Sequence, residues 1–259
     1  MTFERRALGR VGGVLVDTRF EGDGFLVAFT ERTGGLSAPP YESLNLSFAV
    51  GDDDDAVRRN RALVTMTLGI DAFATAEQVH GSIFADVGPA DRTSGYTGRS
   101  GRLPGADAMS TTMSDTALAI LTADCVPIVA ASARQGLLAV AHAGWRGIAR
   151  GIVGALARRF EHPRDVRVAI GPAIGVDHYE VGDEVVSAIA AGTQSGVVRE
   201  LRDGRVHVDL VATVRAELEA IGIVDVDDSG LCTACHPNRF FSYRRDGTTG
   251  RQAAVAVKR

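Results

Sequence analysis

Between Ala117 and Gly144 the chain places three apolar runs almost end to end: ALAILTADC (117–125), PIVAAS (127–132) and GLLAVAHAG (136–144). A strand with one face in water alternates apolar and polar residues, whereas these runs are apolar at nearly every position. They predict central strands buried on both faces, in a sheet that needs a covering layer on each side. Only a few residues separate the runs, so the strands should be neighbours in space.

The flanking sequence supplies candidates for the covering layers. FLVAFT (25–30) predicts a strand, followed by a loop with Gly34, Gly35, Pro39 and Pro40. The run GDDDDAVRRNRALVTMTLGI predicts a helix capped at Asp52 or Asp53, with Val57, Arg61, Val64 and Leu68 on one stripe. Its four aspartates suit a helix N-terminus, and the alternating ligands and distal Glu of a calcium loop are missing. Residues 75–87 predict one or two strands around His80, and the Gly-, Ser- and Arg-rich residues 91–105 predict an exposed, mobile loop. Ile148, Ile152, Leu156 and Phe160 recur every fourth residue, which predicts one amphipathic helix with Gly144 and Gly147 at its mouth. A strand over 166–172, helices over 181–192 and 208–222, and strands in VDVDDSGLCT and RQAAVAVK complete the pattern. The alternation is irregular, without an internal repeat or an obvious linker. It points to an α+β fold, mixed sheet between helix layers, in a single catalytic domain over 1–259.

Composition narrows the classes of function. A chain of 259 residues can bury a real core, and a net charge of −4 without a basic cluster makes nucleic acid a poor partner. The N-terminus MTFERRALGR lacks the apolar run of an export signal, and no apolar stretch is long enough to span a bilayer. The expectation is a cytoplasmic protein, monomeric or weakly dimeric, with no nucleic-acid or membrane partner. Three cysteines, an odd number, argue against a disulfide framework.

His80, Cys125 and His142 are ligand-type residues at the ends of predicted strands. A thiolate and two imidazoles suit zinc, and three protein ligands leave a fourth position for water or substrate. Their spacing matches no compact zinc motif. A buried cysteine with two hydrogen-bonded histidines, or a Cys–His nucleophile pair, fits the same residues. The glycine-flanked turn AHAGWRG exposes backbone N–H groups, and Arg146 adds a fixed cation, which makes this turn the candidate phosphate site. Arg244, within RFFSYRRDG, is the second phosphate candidate. Asp124 precedes Cys125, but neighbours on a strand face opposite ways, so Asp124 is assigned to the turn rather than to proton transfer. CTACH (232–236) matches a haem-attachment string, which a chain without an export signal would not use; it is read as a strand end entering a loop.

Taken in order, NLSFAVGDDDDAVRRNR, EQVHG, ADAM, LTADCVPIV, AHAGWRG, GPAIG with HYEVG, CTACH with RFFSYRRDG, and TGRQA form a specific pattern. It resembles the "laccase-domain" or polyphenol oxidase family, whose members are described as purine nucleoside phosphorylases with adenosine deaminase activity. The motif-bearing part covers about 45–259. The resemblance implies a layered α/β/β/α sandwich and a metal triad, zinc or in the older account copper, on His80, Cys125 and His142. It implies phosphorolysis of adenosine, inosine and methylthioadenosine, with purine nucleosides and phosphate as partners. Bacterial relatives are also tied to peptidoglycan-precursor editing, which leaves an amidase-type hydrolase as the alternative; a non-catalytic metal-binding protein is another. Where relatives often carry Pro-Cys before the tyrosine, this chain has Val176, Asp177 and His178. A complete multicopper set needs about ten histidines, and the chain has 6, so one metal is the most these residues suggest.

Overall fold

The computed structural model describes residues 2–8 and 12–259. In chain order the elements are β1 (Phe3–Leu8), β2 (Gly12–Asp17), β3 (Phe25–Thr30), α1 (Asp54–Leu68), β4 (Phe73–Thr75), β5 (Phe84–Asp86) and β6 (Ala108–Thr111). Then come β7 (Ala117–Thr122), β8 (Val126–Ser132), β9 (Leu137–Ala143), α2 (Trp145–Ala149), α3 (Ile152–Ala157), β10 (Arg167–Ile170) and α4 (Asp183–Gly192). The chain closes with β11 (Arg199–Arg202), β12 (Arg205–Val208), α5 (Leu210–Ile221), β13 (Asp225–Asp228), α6 (Tyr243–Asp246) and β14 (Gln252–Lys258).

Two mixed sheets carry the fold. The first runs β1-β2-β3-β14-β7-β4 and the second β13-β10-β8-β9-β6-β5; β11 and β12 form a separate ribbon. The layering follows from which side chains share a core. Leu118 and Ile120 of β7 pack with Val129 of β8 and Val140 of β9, in a core drawn from both sheets. Their neighbours Ala117 and Ala119 face Val64 and Leu68 of α1. Ile128 and Ala130 face Leu156 of α3, Ile189 of α4 and Leu218 of α5. Period-two alternation therefore splits each apolar run between two cores, and both faces of β7 and β8 are buried. The architecture is α+β with an α/β/β/α layering, as the motifs implied. Among the described residues, no helix is long and apolar enough to cross a membrane.

Local signals explain the covering helices. Asp53 caps α1 by accepting from the Ala56 N–H at 3.0 Å, and Gly69 ends it with φ 62°. The expected stripe of Val57, Arg61, Val64 and Leu68 is buried. Arg61 is fully buried without a carboxylate partner. It donates to Leu46 O, Gly95 O and Tyr96 O, and its guanidinium lies 4.6 Å from the Phe48 ring centroid and 5.2 Å from that of Phe73. Burial lowers its pKa to about 9.

Three sequence expectations need correction. The loop over 91–105 is not free to move as a whole, because Arg61 holds Gly95 and Tyr96 by their carbonyls. The helix expected after Gly144 is two helices, α2 and α3, divided at Gly151 with φ 78°. A left-handed residue cannot continue an α-helix, so the i, i+4 pattern spans a bend. His80 lies on no strand: residues 76–83 form a loop between β4 and β5, with Gln78 and His80 at φ 61° and 60°.

Candidate functional site

The centre forms where the chain passes from one sheet to the other. The loop bearing His80 joins β4 of the first sheet to β5 of the second, and the turn bearing Cys125 joins β7 to β8 in the same sense. His142 is on β9, paired opposite Pro127 of β8. The ligating atoms of His80, Cys125 and His142 lie within 4.8 Å of one another. Cys125 Sγ is 4.0 Å from His80 Nε2, and the two imidazole rings meet edge to face at 4.8 Å.

Several neighbours hold this geometry. Asp107, fully buried at the mouth of β6, accepts the N–H groups of Val79, His80 and Gly81 at 3.1, 2.9 and 2.6 Å. The same carboxylate takes His142 Nδ1 at 2.9 Å, which leaves Nε2 facing Cys125. Gln78 reaches β7, donating to Leu121 O at 2.7 Å and accepting its N–H at 2.9 Å. Asp124 turns the chain with φ 97°, a strained conformation for a residue with a Cβ. Its carboxylate accepts from Thr233 Oγ1 and the Arg244 N–H, both at 2.6 Å. Asp124 thus supports the turn. Gly144 is needed for close approach: a Cβ there would sit 2.8 Å from Cys125 Sγ and 3.1 Å from His80 Cδ2.

The electrostatics favour a Cys125 thiolate beside a His142 imidazolium, whose Nε2 proton a bound metal would displace. Burial alone would raise the Cys125 thiol, but positive charge on His142, together with hydrogen bonds from His142 and His80, lowers it to about 6. Burial opposes charge on His142, but Cys125 and Asp107 outweigh it and hold the imidazole at about 9. Burial also disfavours an ionised Asp107, and its hydrogen bonds from His142 and Gly81 reverse that. The donor set fits a borderline-soft ion such as zinc: one thiolate, two imidazoles, and a carboxylate fixing one ring from behind.

The centre opens onto a cleft of about 610 Å³. Arg146 and Arg244 both line it. The Arg146 guanidinium stacks 4.3 Å from the Trp145 ring centroid. Arg244 is exposed, but its guanidinium is already engaged: Nη1 donates to Glu180 O at 2.8 Å and the group covers the Tyr179 ring at 4.8 Å. Sequence reasoning misses Asp107, Tyr179 and Arg251. Arg251 lines the cleft and is half-buried; burial lowers its pKa, while Cys125 and Asp124 partly offset this. Burial drives the Tyr179 hydroxyl pKa far upward, so it stays protonated. Thr122 Oγ1, also in the lining, is buried without a hydrogen-bond partner. ADAM and TGRQA do contain Asp107 and Arg251; the lone charge inside the apolar ADAM is the signal that could have found Asp107, and Arg251 in its polar string has no such mark.

Residues 26–259 match the family model described as multi-copper polyphenol oxidoreductase laccase. A purine nucleoside phosphorylase of Streptomyces coelicolor is 41% identical over 231 residues, covering 87% of this chain and 92% of the relative. The purine nucleoside phosphorylase YlmD of Geobacillus stearothermophilus is 38% identical over 249 residues, covering 91% of each chain. The crystal structure of YlmD superposes with a TM-score of 0.93 at 35% identity, over 100% of this chain and 99% of that one. The hypothetical protein YfiH of Bacillus licheniformis superposes with a TM-score of 0.91 at 32% identity, over 99% of each.

Proposed function

Because the chain belongs to the multi-copper polyphenol oxidoreductase laccase family, we propose that it is a zinc-dependent purine nucleoside phosphorylase that also deaminates adenosine, with His80, Cys125 and His142 as the metal ligands. The observation that carries this reading is the composition of one cleft. A sulfur–imidazole donor set shares about 610 Å³ with four arginines, Arg102, Arg146, Arg244 and Arg251, and three aromatic side chains, Trp145, Tyr179 and Tyr243. That volume falls in the range of small-molecule sites, the rings offer faces for a purine, and the arginines offer charge for phosphate. Relatives named purine nucleoside phosphorylases support the phosphorylase part of this assignment.

Phosphorolysis asks the chain to hold an anion beside C1′ of the ribose, and to protonate or hydrogen-bond the base as the C–N bond breaks. Arg146 and Arg251 are the phosphate-facing cations in this reading, with Arg244 steadying Tyr179 and the wall behind it. Tyr179, kept protonated by burial, is the donor assigned to the departing purine. Thr122 Oγ1 is a buried group whose missing partner a substrate hydroxyl would supply. Asp107 holds His142 in the tautomer that presents Nε2 to the ion. Bound zinc supplies Lewis-acid activation of water for deamination. A single such centre is at odds with the family's copper-based description, because the chain has 6 histidines in all.

The test is direct. Purified protein incubated with inosine and phosphate should release hypoxanthine and ribose 1-phosphate in equal amounts. Absence of product from inosine, adenosine and methylthioadenosine alike overturns the reading.

A further inference from the structure

The string CTACH, read as a strand end entering a loop, acquires a facing partner in the structure. Cys232 and Cys235 flank a tight turn, and His178, at the end of the 3-10 segment Val176–His178, lies against them. The ligating atoms of the three lie within 4.8 Å of one another, with His178 Nε2 and Cys235 Sγ at 3.1 Å. Both cysteines are free thiols. A tetrahedral zinc, with bonds of about 2.3 Å to sulfur and 2.0 Å to nitrogen, spaces its donors by roughly 3.5–3.8 Å. Side-chain adjustments of at most about an ångström therefore bring these three onto one ion.

The backbone around them is suited to a thiolate. The Gly175 N–H donates to Cys232 Sγ at 3.1 Å, and His236 Nδ1 hydrogen-bonds Cys232 O at 2.9 Å, closing the turn from the other side. A Cβ on Gly175 would lie 3.2–3.3 Å from the Cys232 side chain, so glycine permits this approach. From this geometry we infer that His178, Cys232 and Cys235 form a second metal site, for zinc or another thiophilic divalent cation, distinct from the centre at Cys125. On binding, the two thiols release their protons to solvent and the imidazole binds neutral.

The position of the site indicates its use. The loop bearing His178 continues into Tyr179, and Arg244 donates to Glu180 O in the same loop. The Cys-x-x-Cys turn holds Asp124 through Thr233 Oγ1, and Arg245 Nη1 donates to Thr233 O at 2.8 Å. An ion here ties the loop that carries Tyr179 in the cleft wall to the turn that holds Asp124 from behind. Its role is cross-linking, and it stands whether or not the first centre is a phosphorylase.

Metal analysis of phosphine-reduced protein after dialysis should give about two zinc ions per chain for the wild type and about one for Cys235→Ser. A Cys125→Ser protein titrated with cobalt(II) should bind about one equivalent with thiolate-to-cobalt charge-transfer absorption. Adding Cys235→Ser should remove that absorption. His178→Ala, at an exposed position, should weaken cobalt binding by at least about 10-fold while leaving the circular dichroism unchanged. Three results would each overturn the inference: equal zinc in wild type and Cys235→Ser, cobalt absorption indifferent to Cys235, or a mass lower by about 2 Da from a Cys232–Cys235 disulfide that survives the phosphine.

Discussion

The two sulfur–imidazole clusters share donor chemistry and differ in surroundings. His142 is buried, with Asp107 behind its ring, and Cys125 is flanked by two imidazoles. His178 and Cys235 are exposed, and the contacts around their cluster are mostly to backbone atoms: Gly175 N–H and Cys232 O. The first cluster opens onto a cationic, aromatic cleft; the second sits on the outside of that cleft's wall. Donor type alone therefore separates nothing here. A buried carboxylate and room for a substrate are the grounds on which we propose one cluster as a reaction centre and the other as a fastener.

The sharpest way to break this contrast is to remove one sulfur from each cluster. Cys125→Ala is expected to lower kcat/KM for inosine phosphorolysis by at least about 10³-fold, since the lost ion acts on the reacting groups. Cys235→Ser should stay within about threefold of wild type at 25 °C, because a cross-link outside the cleft acts only through packing. Similar losses from both would erase the distinction. Next in size, Gly144→Ala drives a methyl into Cys125 Sγ and should cost about 10²-fold in turnover at nearly unchanged thermal stability. Asp107→Asn should lower metal affinity by about 10–100-fold, measured by competition with a chromogenic chelator. Among the described residues no carboxylate hydrogen-bonds His178 in the same way, so the second cluster offers no equivalent substitution.

Two smaller effects sharpen the contrast. Arg251→Met should raise the KM for phosphate by about 10-fold with little change in nucleoside KM. Finally, the thiols should titrate apart. In chelator-treated protein Cys125, with its pKa lowered to about 6, is thiolate above that pH and should alkylate with a midpoint there. Cys235 is raised by burial and by Cys232, so it stays a thiol until above its ordinary range and should react only in alkaline buffer. The sign is the same for both groups, reactivity rising with pH, and only the midpoints differ. Coincident midpoints, read by peptide mass spectrometry, would mean that the electrostatic difference is absent.

Much of the fold and of the first cluster is legible in the amino-acid sequence. The continuous apolar runs of β7, β8 and β9 require burial on both faces, and short connections put Cys125 beside His142. Asp53 and Gly69 bound α1 because capping chemistry is local. Less legible are features set by contacts distant in sequence. The left-handed backbone at Gln78 and His80 is imposed by Asp107 and Leu121, and neither leaves a periodic trace. Arg61 looks like a polar member of an apolar stripe, and only the carbonyls of Leu46, Gly95 and Tyr96 explain it. The break at Gly151 is visible as a glycine within a helical pattern, but the spacing of Ile152 and Leu156 favours continuation. The N-terminal strands β1 and β2, the strand β6 and the β11–β12 ribbon carry too little apolar–polar contrast to stand out.

His80 and Cys125 both sit where the chain leaves the first sheet for the second. An ion bound there acts as a rivet through two plates, and separating the plates must first empty the rivet hole. Metal affinity is then part of global stability: an ion at about 1,000 times its Kd adds on the order of 4 kcal/mol to unfolding. A series of melting curves against free zinc, run on the Cys235→Ser protein so that only this centre binds, would therefore give its binding constant with no substrate in the tube.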